Sequence, residues 1–416
     1  MRQGELFETT AGRDILVVGA GPAGLFAALA AAECGARVLV CEKMSSPGIK
    51  LLASGSGRCN ITHAGAIEDF IPHYGAGQGR FLKHALFSFD NLALEAWFTR
   101  RGLPLAADER GKLFPATGRA RDVLAVLLAE AGSAGVEIRG DARVLSARRL
   151  GGGFEVETSE GRHAADRLIL STGGKSYPGT GSSGEGYALA ASFGHQIAPT
   201  RPALAPLVTV GGLPAACAGI SIPEAEIVVR RGQKRVLRAR GDLLFTHKGI
   251  SGPVVLDASR SIESGDVVLV SLLPGMDREL IEAELLRQTS LHGRRGIASC
   301  LQALGLPERL ADAVLEWSGV ERSLGAASLD RSRRTRLVEA VAALPLVVER
   351  VGGFEEAMAT SGGVVLAEVE PRTLASRIEP GLFFAGEILD LDGDTGGYNL
   401  QAAFSTGRLA GIAAAT

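Results

Sequence analysis

The segment from Ile15 to Glu42 constrains the fold more than any other. It reads as an apolar strand at Ile15 to Gly19, an Ala-rich helix at Pro22 to Gly35 and a second apolar strand from Arg37 to Glu42. Together these make a compact β-α-β unit. Gly19, Gly21 and Gly24 stand between strand and helix as G-x-G-x-x-G. Gly19 permits the tight turn, Gly21 lets backbone approach a pyrophosphate, and Gly24 lets helix and strand pack closely. Ala20, Pro22 and Ala23 complete the turn and open the helix, whose N-terminus supplies partial positive charge. Glu42, about 20 residues further on, ends the second strand and suits the hydroxyls of an adenosine ribose. Lys43 follows it directly. The fingerprint alone fits FAD and NAD equally.

With 416 residues the chain has room for two or three domains and a large core. Hydrophobic residues at 46% and charged residues at 22% are those of a globular protein and exclude a disordered one. Lys and Arg number 44 against 46 Asp and Glu, so no global positive field exists to hold nucleic acid or an anionic membrane. No nucleic-acid partner is expected. Glycine is the outlier, at 55 residues, and without a collagen period it points to backbone-lined ligand loops. Cys34, Cys41, Cys59, Cys217 and Cys300 are odd in number and show neither C-x-x-C nor zinc-type spacing, so no metal is expected and a reducing, cytoplasmic setting fits. Ile15 to Ala32 is uncharged and near the length of a short membrane span, but its central glycines and proline argue against a spanning helix. The tail before it mixes Glu5, Glu8 and Asp14 with Arg2 and Arg13, unlike the positive start of a secretory signal.

Further along, Phe81 to Arg101 and Arg121 to Ala134 have helical spacing. Val144 to Asp166 alternates around Gly151-Gly152-Gly153 as a β-hairpin region, and Leu168 to Ser171 is a buried strand. Pro199, Pro202 and Pro206 mark a boundary after Gly194. Strand-like runs follow at Glu226 to Arg231, Val236 to Arg240, Val254 to Ala258 and Val267 to Leu273. Asp277 to Ala343 then reads as helical, with breaks near Gly293, Gly305 and Gly325. At Gly381 the glycine-rich strand-turn-helix pattern returns, with a last helix from about Gly397 to Ala415. One dinucleotide domain interrupted by an insert is expected: residues 1–195 and 354–416, with 196–353 inserted.

Three further segments carry chemistry. Lys50 to Thr62 includes Ser54-Gly55-Ser56-Gly57-Arg58-Cys59-Asn60; its small residues expose amides, and Lys50 and Arg58 can meet phosphate charge. Gly179, Gly181 and Gly184 repeat the glycine spacing without a following acid, so no second nucleotide fold is expected. In the last segment Gly386-Glu387 ends a strand, Asp390 follows, and Gly393 to Gln401 opens the final helix. A carboxylate at a strand end and a helix N-terminus suit a ribityl chain and an anionic ring edge.

These blocks together resemble the BaiN/RdsA-like flavoprotein family, which also includes aminoacetone-oxidase-like enzymes. The matching stretches are VVGAGPAG (Val17 to Gly24), SGSGRCNIT (Ser54 to Thr62), GKLFP (Gly111 to Pro115), STGGKSYPGTGSSGEGY (Ser171 to Tyr187), LFTHKGISGP (Leu244 to Pro253) and AGEILDLDGDTGGYNLQ (Ala385 to Gln401). Ser56 and His63 depart from it, where Gly and Asn are common. The resemblance implies bound FAD, an α/β fold of the glutathione-reductase type and an inserted β-barrel-plus-helices domain. By the same match Thr172, Gly173 and Gly174 pack near the cofactor and Glu387 holds its ribityl chain. Gly397, Tyr398, Asn399, Leu400 and Gln401 join the expected contacts. His247, in a Thr-His-x-Gly turn, and Tyr398 and Asn399 are the candidate catalytic groups.

The expected activity is that of an FAD-dependent oxidoreductase, moving a hydride between a small organic substrate and flavin N5 with NAD(P)H or oxygen as second redox partner. Two alternatives stand beside it. One is an RNA-modifying flavoprotein using the basic run Arg331, Arg333, Arg334 and Arg336, a run read first as a solvated face. The other is a flavin-binding sensor without turnover.

Overall fold

The structure, a computed structural model, describes residues 13–291 and 296–416. Arg2, Glu5, Glu8 and the expected break at Gly293 lie outside the described residues. Two compact units divide the chain. One holds the residues up to Pro202 and from Met358 on, the other Ala203–Ala357. The joints thus fall at 202/203 and 357/358, against the expected bounds of 195/196 and 353/354.

The first unit is built on a five-stranded parallel sheet in the order Leu382–Phe384, Arg167–Leu170, Asp14–Val18, Arg37–Cys41, Glu137–Arg139. Its central strands are apolar on both faces, as helix-covered parallel strands must be. The helix Pro22–Glu33 lies beside the terminal helix Tyr398–Ala415. A side chain at Gly407 would collide with the carbonyl oxygen of Ala23, and one at Gly411 with that of Ala27. Bare backbone on one helix therefore rests on backbone of the other, and the pairing of 23 with 407 and 27 with 411 makes them parallel. By that register Pro22 is level with Thr406, eight residues after Tyr398. At 1.5 Å rise per residue, the terminal helix begins about 12 Å beyond the start of its neighbour.

Two local expectations change in this unit. The helical stretch from Phe81 to Arg101 is two helices, Ala76–Ser88 and Asn91–Arg100, because Asp90 caps the second by accepting from Ala93 N at 2.7 Å. Val144 to Asp166 adds a third strand to the hairpin: Val144–Leu150, Gly153–Thr158 and Gly161–Ala165 form an antiparallel meander.

The second unit is a closed six-stranded barrel: Leu207–Thr209, Gly249–Ser251, Lys234–Phe245, Ser221–Arg231, Val267–Val270 and Leu344–Val351, which pairs back onto the first. The helices Arg278–Leu291, Ile297–Ala303, Glu308–Trp317 and Arg331–Ala342 share its apolar core. Val254 to Ala258, expected as a strand, is the helix Pro253–Ala258. Proline at the first helical position after Gly252 opens it, overriding the β-branched Val254-Val255. The basic run is tied down at three points. Arg333 meets Asp330, Arg334 meets Glu282, and Arg336 donates to the Ser318 carbonyl. Among the described residues no helix is long and apolar enough to cross a membrane.

Candidate functional site

The C-terminal edge of the parallel sheet gathers most of the expected residues of the first unit, which is where open α/β sheets bind their ligands. At the first strand Gly19 takes a left-handed φ of +99°, and a side chain at Gly24 would strike the Gly19 carbonyl. A Cβ at Gly21, in contrast, would meet nothing within 4 Å. Space is therefore open directly before the helix Pro22–Glu33, whose first turn has no side-chain cap. Glu42 fixes this loop: Oε2 accepts from Ala20 N at 2.8 Å and Oε1 from Met44 N at 3.0 Å. Lys43 points away to Ser183 (2.6 Å) and Glu185 (3.2 Å), so its charge is engaged at the surface.

At the next strand end Ser171 Oγ donates to Val18 O, binding the two central strands together. Thr172-Gly173-Gly174 follows, and a side chain at Gly174 would run into Thr360. Here a half-buried polar cluster forms. Lys50 Nζ donates to Glu387 Oε2 at 2.7 Å and to Ser176 Oγ at 2.6 Å. Glu387 Oε1 accepts from Thr360 N at 2.7 Å and Ser176 Oγ at 3.1 Å. Charge-assisted bonds of this kind hold a carboxylate in one orientation. Gly386 N, just before it, donates to Thr406 Oγ1 of the terminal helix. Asp390 accepts from Gly362 N at 3.1 Å, and burial pushes its carboxyl above the ordinary value. Tyr187 is buried nearby with no partner for its hydroxyl among the described residues; burial, then the Glu387 and Asp390 charges, hold the phenol far above its usual range.

The loop from Ser54 to Asn60 is left-handed at Gly55, Ser56, Gly57 and Cys59. Ser54 Oγ donates back to Leu51 O, and Arg58 lies over the Phe114 ring at 4.5 Å. Cys59 turns into the core, and burial pushes its thiol up to about 12, which disfavours the thiolate. Asn60, in the amide orientation that satisfies its neighbours, donates to Thr62 O and accepts from Gly397 N, each at 3.0 Å.

Asn60 thereby anchors the start of the terminal helix, and three side chains expected at the cofactor do the same. Asn399 Nδ2 donates to Gly393 O at 2.9 Å while its Oδ1 accepts from Gly393 N at 2.8 Å, closing the preceding loop on itself. Gln401 is fully buried, accepting from Thr62 Oγ1 at 2.6 Å and donating to Phe89 O and Ser405 Oγ. Tyr398 is stacked between His73 (4.0 Å) and His63 (5.4 Å). Leu400 is half-buried against the core. The Asn399 and Gln401 side chains are thus clasps of this chain upon itself. Their amides satisfy local backbone, and what the helix offers outward is its first turn, which has no side-chain cap.

His247 lies in the second unit, exposed in a turn closed by Thr246 N to Gly249 O at 2.8 Å. Sequence reasoning missed Ser176, Thr360, His73 and Asp394. Ser176 stands within a motif that was read for its glycines. Thr360 has no signal at all, because it reaches Glu387 only after the insert has returned the chain to the sheet. His73 meets Asp394 Oδ2 at 2.9 Å across more than 300 residues of sequence.

These residues fit an extended dinucleotide: open backbone at Gly21, one uncapped helix N-terminus beside it, and a second about 12 Å further out. Fold and site together define a Rossmann-type FAD-binding protein. Residues 13–413 match the HI0933-like protein Rossmann domain, and the chain belongs to that family. It is 34% identical over 409 residues to the 3-dehydro-bile acid delta(4,6)-reductase of Clostridium scindens, covering 96% of this chain and 98% of the relative. It is 32% identical over 400 residues to the ribosomal RNA dihydrouridine synthase of Escherichia coli, covering 94% and 96%. In fold it is similar to the 3-ketosteroid delta1-dehydrogenase of Sterolibacterium denitrificans, with TM-score 0.51, 13% identity and coverage of 98% and 100%. The protein is an FAD-dependent oxidoreductase.

Proposed function

We propose that this enzyme reduces a carbon–carbon double bond conjugated to a carbonyl in a small organic substrate, with a reduced nicotinamide as electron source. The observation that carries this reading is the terminal helix. Its first turn is uncapped, held rigid by Asn60 and Asn399, and set about 12 Å beyond the first helix. A helix N-terminus there favours the negative charge of a reduced flavin over the neutral oxidised one. Such a site accepts two electrons readily. The names of the relatives agree with this direction: one is a reductase, and a dihydrouridine is a uridine with hydrogen added across a bond conjugated to a carbonyl.

When bound, FAD supplies hydride chemistry at its N5. The chain orients it: Gly19 to Gly24 and Glu42 at the dinucleotide end, and the Lys50–Glu387–Ser176 cluster at the strand end between the two helices. The substrate gains a hydride at the carbon β to its carbonyl and a proton at the α carbon.

Anaerobic mixing with NADH or NADPH is expected to bleach the flavin, and a 3-keto-4-ene steroid or another conjugated enone should restore its colour. Bleaching by amines or alcohols, with colour restored only by oxygen, would make it an oxidase and defeat the proposal. Recolouring by a uridine-containing RNA and by no small enone would transfer the same chemistry to the second reading, which the Escherichia coli relative favours.

A further inference from the structure

We propose that His73, steered by Asp394, is the proton donor of the reduction and delivers the proton gained by the substrate's α carbon. This rests on the reductase reading and adds the acid which that reading leaves unassigned. His73 stands near the end of the 3₁₀ helix Ile67–Tyr74, and Asp394 in the loop before the terminal helix. His73 Nδ1 is 2.9 Å from Asp394 Oδ2. A carboxylate only accepts, so Nδ1 carries a proton and Nε2 is the nitrogen left for chemistry. Nε2 has no hydrogen-bond partner among the described residues. The imidazole lies on the ring of Tyr398, the first residue of the terminal helix, with centres 4.0 Å and planes 15° apart. It therefore sits beside the helix opening that the reductase reading assigns to the flavin. Its side chain is 38% exposed, so water and a substrate both reach it.

The side-chain pair is not needed to join its two segments. Asp394 N already donates to His73 O at 3.0 Å, and the Tyr74 hydroxyl donates to Tyr398 O at 2.7 Å. Gln78 adds a bond to Asp390 O at 3.0 Å. A pair this open to solvent contributes little further stability. The neighbouring side chains suit proton delivery less well. His63, stacked on Tyr398 at 5.4 Å, gives Nδ1 to the Ala64 carbonyl at 2.7 Å, a neutral acceptor that balances no charge. Tyr398 itself is buried. A carboxylate behind an imidazole fixes its tautomer and orientation and balances the imidazolium charge. As the β carbon takes its hydride, the Nε2–H bond of His73 breaks and the electron pair of the former double bond forms a C–H bond at the α carbon. The imidazole is left neutral with Nδ1–H on Asp394, and water restores the Nε2 proton.

The test uses the FAD-bound full chain, its flavin reduced with dithionite so that no nicotinamide is involved, mixed anaerobically with a 3-keto-4-ene steroid. A general acid contributes about 10²–10⁴-fold, so His73→Ala with FAD still bound should recolour at least about a hundred-fold more slowly. Free imidazole should restore part of that rate, which a merely structural residue would not allow. Asp394→Asn should slow recolouring by a smaller factor. Nitrogen-15 NMR of the oxidised holoenzyme in alkaline buffer reads the positioning without turnover. The imidazole signal missing from His73→Ala should show Nδ1 protonated in the parent, and Asp394→Ala should move that proton to Nε2. Undiminished recolouring in His73→Ala overturns the proposal. So does a slowing that imidazole leaves unrelieved, a slowing found in His63→Ala in its place, or a parent signal with the proton on Nε2. A parent flavin that no conjugated enone recolours defeats the reductase reading itself, and the donor role with it; the parent's behaviour thus separates the two failures.

Discussion

Two helix openings frame the proposed FAD site, and they are built by opposite means. At Pro22 the chain works by omission: glycines remove side chains, Gly21 faces open space, and only Glu42 reaches in to hold the Ala20 amide. At Tyr398 it works by addition, with Asn60, Asn399, Gln401 and Thr62 all bonding to the helix start or the loop before it. The difference teaches where precision is required. A pyrophosphate is met by backbone amides that a short local turn can present by itself. The second opening projects beyond the sheet, and side chains distant in sequence must fix it.

The largest effect should come from breaking what the two openings share. Gly407→Val would drive a branched side chain into the Ala23 carbonyl and part the helices. Overpacking of this kind costs about 3 kcal/mol, which at roughly 2–4 °C per kcal/mol lowers the melting temperature by about 6–12 °C. Differential scanning calorimetry with a count of bound FAD per chain measures both. Full FAD content at an unchanged melting temperature would mean that the close helix contact does not set the openings.

Glu42→Ala attacks only the first opening. It removes two charge-assisted bonds to backbone, at Ala20 and Met44, together with the carboxylate available to a ribose. FAD affinity should fall by about 1.5–3 kcal/mol, read by titrating apoprotein with FAD. Gln401→Leu attacks only the second. It leaves the buried Thr62 hydroxyl without its acceptor, and a loss of about 1–2 kcal/mol in urea unfolding is expected. Its FAD affinity should change far less than that of Glu42→Ala. The reverse ranking would make Gln401 a direct cofactor contact after all.

The same contrast explains what could be read without coordinates. The first opening was legible residue by residue, because strand, glycines, helix and acid lie within thirty positions and each acts locally. Parallel strands and the barrel-plus-helices insert followed from the family resemblance. The second opening was legible as a motif, but the partners of its side chains within the chain were not. Asn399 and Gln401 looked like ligands because they stand at a helix start, yet their partners, Gly393, Thr62 and Phe89, are set by tertiary packing. Val254-Val255 misled for a simpler reason: β-branching is a weaker signal than a proline that fixes the first turn.

The smallest expected effect is also the most discriminating, since it separates the charge of the second opening from its rigidity. Asn399→Asp keeps an acceptor for Gly393 N but loses the donor to Gly393 O, and it adds a negative charge to the first turn of the terminal helix. An acid at a helix N-terminus stabilises the helix by about 0.3–1 kcal/mol, which opposes the loss of that bond. Melting should therefore move little. A reduced flavin facing the same turn would meet the new charge as repulsion, so its potential should fall. With 30 mV equivalent to about 1.4 kcal/mol for a two-electron couple, a change of about 0.5–1 kcal/mol appears as roughly 10–20 mV. Asn399→Ser loses the clasp without adding charge and should leave the potential near that of the parent. If both variants lower it equally, the loop's rigidity sets the potential. If neither does, the first turn of the terminal helix does not face the flavin.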